Sequence, residues 1–186
     1  LIPSGTYAVW AYLNDDSDNT LYGRYNSGSP DNAYDIRWKT SSGNKITLAI
    51  NGSFKDNVST FTPNQWNHFA ITVDSNATIT YVNGIATNTA SGVTIATDSA
   101  SASEPNYIGY HGLSGNYFNG KMANFAIWSR ALEPEEIQSI MNKSYSQLKG
   151  VEKTSLVSWW ALDNVQKVTD NSVSSGLIES ETGEIL

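Results

Sequence analysis

Short runs rich in β-branched and aromatic residues recur along the chain, separated by clusters of Asn, Asp, Gly and Ser. That is the spacing of an antiparallel sandwich. The runs predict strands at Thr6–Leu13, Thr20–Tyr25, Tyr34–Lys39, Lys45–Ile50, Trp66–Val73, Thr78–Val82, Ile85–Thr89, Asn106–Tyr110, Lys121–Trp128 and Leu156–Leu162. Within Trp66–Val73 the two-residue period puts Phe69, Ile71 and Val73 on one face, which should meet the core. Between Val82 and Ile85 stands Asn83-Gly84, a pair that readily takes the two positive φ angles of a type I′ turn, so a tight hairpin is predicted there. One short helix is expected near residues 134–143. Pro134 suits its first position, Glu135 and Glu136 favour the positive end of its dipole, and Ile137, Ile140 and Met141 form an apolar stripe. The expected fold class is all-β: a two-sheet antiparallel β-sandwich with that helix as its main addition.

One domain is expected over residues 1–163, with the strand at 156–162 completing it and residues 164–186 forming a polar C-terminal tail or linker. A slice of a tandem array is the alternative, and the need to bury the Trp159-Trp160 pair favours completion. Neighbours in a strand point to opposite faces, so one Trp suits the core and the other an interface. Ala86–Glu104, rich in Ala, Thr and Ser, reads as including a long surface connection.

Composition narrows the partners. Six Trp and ten Tyr among 39% hydrophobic residues are ample for a packed core. Eighteen acids against eleven bases give a net charge of −7, which repels nucleic acid and anionic membrane surfaces. No apolar run reaches the ~18 residues of a membrane span, so membrane insertion is not expected. The absence of cysteine removes disulfides, zinc ribbons and thiol nucleophiles.

The run Trp66-Asn67-His68-Phe69-Ala70-Ile71-Thr72-Val73-Asp74, followed by Tyr81-Val82-Asn83-Gly84, resembles the Trp-x-His-hydrophobic-Ala strand and Tyr-Val-Asn/Asp-Gly hairpin of laminin-G-like jelly-roll domains of the concanavalin-A-like lectin-glucanase superfamily. Tyr107-Ile108-Gly109, Phe118-Asn119-Gly120-Lys121-Met122 and Ile127-Trp128-Ser129-Arg130-Ala131-Leu132 with Glu136-Ile137 resemble the closing strand and helix of that family. The blocks span residues 66–137, whereas residues 6–50 match in strand pattern alone. Two departures stand out. Ala123 and Asn124 occupy positions where many members carry acids, and Leu156–Asp163 resembles the strand that usually opens such a domain.

Candidate chemistry is sparse. Laminarinase-type relatives carry Glu-x-Asp-x-x-Glu on one strand, and that motif is absent, as is a Gly-x-Ser-x-Gly elbow, so no catalytic residues are assigned. His68, in a strand beside Trp66, reads as a packed, hydrogen-bonded structural residue. Tyr110–Phe118 is a Gly-rich loop with aromatics at both ends. There Tyr110, His111, Asn116 and Tyr117 are candidates for a shallow glycan site, with rings to stack on sugar faces and polar groups to meet hydroxyls, against the simpler reading of a loop anchored by its Tyr residues. Asn14–Asn19 is an acidic turn in which Asp15, Asp16 and Asp18 are candidate calcium ligands, since relatives of this resemblance often hold calcium at the sandwich rim. A solvated turn is the plainer alternative.

The function expected from the resemblance is a non-catalytic carbohydrate-binding or adhesion module on an exposed surface, whether extracellular, cell-surface or virion, with a glycan or surface polysaccharide as partner. The competing reading is a structural unit of a virus particle or surface array that contacts other copies or neighbouring structural proteins.

Overall fold

In the computed structural model the described residues are 4–14, 19–24, 36–41, 43–50, 53–74, 77–91, 106–110 and 117–162. Eleven strands are seen among them: β1 Gly5–Leu13, β2 Thr20–Arg24, β3 Ile36–Ser41, β4 Lys45–Ile50, β5 Ser53–Thr60, β6 Trp66–Asp74, β7 Ala77–Val82, β8 Ile85–Ser91, β9 Tyr107–Ile108, β10 Gly120–Trp128 and β11 Leu156–Trp160. They form two antiparallel sheets, ordered β11-β10-β1-β6-β7-β8 and β5-β4-β3-β2-β9. This is the two-sheet sandwich that the strand pattern predicts, in the jelly-roll form that the resemblance implies. The helix α1 is Pro134–Ile140, and a 3-10 turn at Tyr145–Gln147 and a second helix α2 at Gly150–Lys153 follow it. Strand β5 and these last two elements have no counterpart in the sequence-based expectation.

Alternation along β1 sorts the core into two layers. Tyr7, Val9, Ala11 and Leu13 point between the sheets, where they pack with Phe69, Ile71 and Val73 of β6, Phe125 and Ile127 of β10, and Leu21, Tyr22, Ile46 and Leu48 of the other sheet. The opposite face of the six-stranded sheet carries Ala8, Ala70 and Ala126, and onto these small residues pack Leu132, Ile137, Ile140 and Leu148 of the helical segment. Trp128 Nε1 donates to Glu152 O at 2.7 Å and Trp10 Nε1 to Met141 O at 2.5 Å, so two indoles fasten that segment to the sheet. Arg130 clamps Glu136 with two hydrogen bonds of 2.6 Å, and Thr6 Oγ1 bridges Arg130 O and Leu132 N.

Trp159 and Trp160 do face opposite ways, and both pack within the chain. Trp159 is buried under the helical segment near Trp128, while half-buried Trp160 meets Phe125 at the margin of the inter-sheet core. Asn83 and Gly84 take φ angles of 52° and 76°, the positive pair required of the two-residue hairpin. Asn83 also accepts the His68 N–H at 2.8 Å through Oδ1, tying the turn to the neighbouring strand. The register of β10 with β1 shifts near Asn124, which adopts φ 51°, a left-handed conformation that Asn and Asp both tolerate.

Candidate functional site

Strand β9 is short and lies at the edge of the five-stranded sheet, where Ile108 pairs with Tyr22 and Tyr107 with Gly23. Tyr22 is buried between the sheets against Tyr7 and Phe125, and Ile108 packs on the same core. Alternation therefore places Tyr107 on the outer face. Gly109, at φ 75°, ends the strand. Its N–H donates to Leu21 O at 3.0 Å and its carbonyl accepts the Phe118 N–H at 2.8 Å, so both limbs of the following loop are pinned to the sandwich.

At the base of that loop Tyr110 and Tyr117 form an antiparallel bridge. Their rings stack with centroids 4.7 Å apart and planes at 11°, and Tyr107 meets Tyr110 edge-on at 5.1 Å. Tyr117 is 64% exposed. Phe118, the next residue, turns inward onto the inter-sheet core and so fixes the outward direction of Tyr117. Local desolvation raises the Tyr110 phenol above its ordinary range, and the neighbouring Tyr117 and Tyr107 push the same way, so it remains a neutral hydroxyl at ordinary pH. The cluster offers an exposed aromatic face with hydroxyls beside it, a surface suited to the apolar face and hydroxyl edge of a sugar ring.

Of the four loop candidates, the structure brings Tyr110 and Tyr117 together, whereas His111 and Asn116 lie outside the described residues. Tyr107 joins the cluster although sequence reasoning did not select it. Its signal was the Tyr-x-x-Tyr spacing with Tyr110, which needs the pairing of β9 with β2 to become meaningful.

Asp15, Asp16 and Asp18 also lie outside the described residues, but both ends of their turn are visible. Asn14 N donates to Asn119 O at 3.2 Å and Asn14 Nδ2 to Asn119 Oδ1 at 3.0 Å, while Asn119 N donates to Asn19 Oδ1 at 2.5 Å. One residue thus holds both ends of the turn. Among the described residues no three His, Cys, Asp or Glu side chains are grouped to hold a metal.

His68 is 3% exposed and packs on Trp10 at 5.4 Å between ring centroids. Burial lowers its pKa to about 4, so it is neutral at ordinary pH. Packing is as the sequence implies, but hydrogen bonding is not: Nδ1 has no partner among the described residues. Glu152 is a buried carboxylate on this side. It accepts from Lys143 Nζ, from Ser139 Oγ at 2.6 Å and from Lys149 N at 2.7 Å.

A jelly roll that carries a loop-borne aromatic cluster at one sheet edge has the build of a lectin-like sandwich domain. Residues 3–138 match the model of the concanavalin A-like lectin/glucanases superfamily, and the chain belongs to that family. Among solved structures it is similar to a candidate carbohydrate-binding protein from Bacteroides ovatus, at 21% identity and a TM-score of 0.70, over 91% of this chain and 50% of that one. The chain therefore spans half the length of that relative. It is also similar to domain 4 of AbnA, an extracellular arabinanase from Geobacillus stearothermophilus, seen in complex with arabinotriose, at 19% identity and a TM-score of 0.58, over 74% of this chain and 66% of that one. A third likeness is to the sialidase CBM40 of Ruminococcus gnavus bound to α2,3-sialyllactose, at 12% identity and a TM-score of 0.62, over 76% of this chain and 84% of that one. At these identities the likeness is one of fold. A search of curated proteins found no match. Among the described residues no helix is long and apolar enough to cross a membrane.

Proposed function

We propose that this chain is a non-catalytic carbohydrate-binding module, working outside the cell or at its surface, whose glycan contact is the Tyr107-Tyr110-Tyr117 cluster. The observation that carries this reading is the stacked Tyr110–Tyr117 pair: two rings held in register by a backbone bridge, with the outer one 64% exposed at the mouth of a loop. A ring that only anchored the loop would be turned inward, as Phe118 is. Membership of a lectin/glucanase superfamily and the sugar-bound states of two fold relatives support the same reading. Adhesion to a glycan-coated surface would be one use of such a contact. A particle-building role is less favoured, because the Trp159-Trp160 pair, one member of which the sequence suits to an interface, packs within the chain.

Absence of catalysis is proposed on the disposition of the buried and paired ionisable groups. Glu136 is clamped by Arg130, Glu152 is neutralised by Lys143, and His68 is packed on Trp10, so each is committed to structure. Calcium at Asp15, Asp16 and Asp18 is proposed as a support for the loop end of the sandwich, and not as part of the sugar contact.

A glycan array probed with the whole chain, in calcium and again in chelator, tests both parts. Saturable binding that Tyr117→Ala removes at unchanged melting temperature is the expected result. Silence across the array from folded protein, or equal binding by the variant, overturns the assignment. A melting temperature that calcium leaves unmoved removes the metal.

A further inference from the structure

We infer that the domain carries a second aromatic platform for neutral glycans, on the sheet face opposite the tyrosine cluster, and is therefore bivalent toward polysaccharide. The inference rests on the glycan-binding reading above. Its basis is one cross-strand row. Lys121 of β10 pairs with Tyr12 of β1, and Tyr12 pairs with Trp66 of β6, so three adjacent strands set these side chains abreast. Alternation puts Tyr12 and Trp66 on the outer face of the six-stranded sheet, since Ala11, Leu13 and Phe69 face inward. The rings of Tyr12 and Trp66 meet edge-to-face at 6.0 Å, and Lys121 Nζ lies 5.6 Å from the centre of the Tyr12 ring.

The helical segment covers this face as far as Trp10 and stops there, where the Trp10 indole reaches Met141 O. The Lys121-Tyr12-Trp66 row is the next one along and lies beyond that cover. Trp66 is accordingly 43% exposed, a large share for an indole within a strand. Cross-strand packing alone accounts for the pair of rings and leaves the exposed indole edge unexplained.

The chemistry of the surroundings selects the occupant. Asn14, Asn64, Gln65 and Asn119, all exposed, lie at the strand ends around the row, so amides and one ammonium surround the aromatic surface. That combination matches a polyhydroxylated, uncharged chain: rings for the C–H face of a sugar, amides and Lys121 for its hydroxyls. A polyanion is disfavoured by the net charge of −7. A protein partner would call for a larger apolar patch than one partly exposed indole and a half-buried phenol.

The two platforms are joined by residues 117–121, which pass from the edge of one sheet to the first residues of β10 in the other. Tyr117 stands at one end of this crossing and Lys121 at the other. Facing opposite ways, the two sites suit engagement of two polysaccharide strands and would raise retention on an insoluble glycan by avidity without a second domain.

Isothermal titration with neutral trisaccharides (cellotriose, xylotriose, laminaritriose, arabinotriose) provides the test. For whichever binds, two equivalents per chain are expected with the wild type, and one with Trp66→Ala, with Lys121→Ala or with Tyr117→Ala. Lys121 is exposed, so its substitution reports on the site even where Trp66→Ala fails to fold. Retention in affinity electrophoresis on the matching polysaccharide should fall at least about tenfold in each single variant, as loss of one arm of a bivalent contact predicts. One equivalent in the wild type, abolished by Tyr117→Ala and untouched by Trp66→Ala, overturns the second platform and leaves the first intact. Self-association that Trp66→Ala abolishes, seen by sedimentation, also overturns it, because a second copy then covers the row. No binding of any trisaccharide would defeat both readings.

Discussion

Trp159 and Tyr81 flank three alanines in a single cross-strand row, Trp159, Ala126, Ala8, Ala70, Tyr81. The row is a trough walled by aromatic rings, and the apolar stripe of α1 packs over this face through Ile137 and Ile140. Replacing Ala8, 2% exposed at the centre, by Leu should force the helix off the sheet and destabilise the domain by about 1–3 kcal/mol. Urea unfolding of Ala8→Leu checks this. The tyrosine cluster sits on the other sheet and should keep its sugar affinity.

The same segment depends on a buried charge. Burial alone would raise the pKa of Glu152, but hydrogen bonds from Lys143, Lys149 N–H and Ser139 outweigh it and hold the group at about 2, against an ordinary 4.5. Because the folded value is the lower one, this stabilisation is complete above pH 4.5 and disappears as pH falls toward 2. Its size is about 3 kcal/mol. Glu152→Gln should lose roughly that amount at pH 7 and show a shallower decline of stability between pH 4.5 and 2, as denaturant titrations at several pH values would reveal.

His68 should produce a separate acid step at higher pH. Its pKa of about 4 in the fold against 6.5 unfolded means that the neutral ring stabilises fully above pH 6.5. Protonation on unfolding erodes that contribution as pH falls through 6.5 to 4, by up to about 3 kcal/mol. His68→Leu removes the titrating group together with a nitrogen that has no partner among the described residues. Its stability should therefore fall less than that of the wild type between pH 6.5 and 4.5, above the range in which Glu152 titrates, and a parallel decline in both proteins there would contradict the assignment.

What the sequence disclosed followed burial. Strands with one face in the core, such as β1 and β6, show clean alternation, and Asn83-Gly84 announced its turn because few other pairs tolerate two positive φ angles. Strand β5 was missed because Ser-Phe-Lys-Asp-Asn-Val-Ser-Thr at a sheet edge has little apolar alternation to read, and its register with β4 is irregular. The 3-10 turn and α2 are too short for a helical period to show, and they are stabilised by contacts distant in sequence, Trp128 with Glu152 among them. At the site, the ends of the Gly-rich loop were visible as Tyr110 and Tyr117. Their stacking was not, since it depends on Gly109 and Phe118 bringing the two limbs together. The outward placing of Tyr107 depends similarly on its partner Gly23, far away in sequence. The row Lys121, Tyr12, Trp66 draws on three strands and is legible only once their registers are known.

Within the tyrosine cluster the three rings should contribute unequally. Tyr117 presents the open face, and Tyr110 backs it, so Tyr110→Ala should leave Tyr117 free to rotate and make binding pay an ordering cost of about 0.5–1.5 kcal/mol. That corresponds to a loss of roughly twofold to tenfold in sugar affinity, smaller than the loss from Tyr117→Ala, which removes the contact itself. Tyr110→Phe keeps the stack and should retain most of the affinity if the ring acts by support, while a loss as deep as that of Tyr110→Ala would assign the Tyr110 hydroxyl a direct hydrogen bond to the sugar. Titration of the three variants with one bound trisaccharide distinguishes these roles, since support and contact are separated by whether the hydroxyl matters.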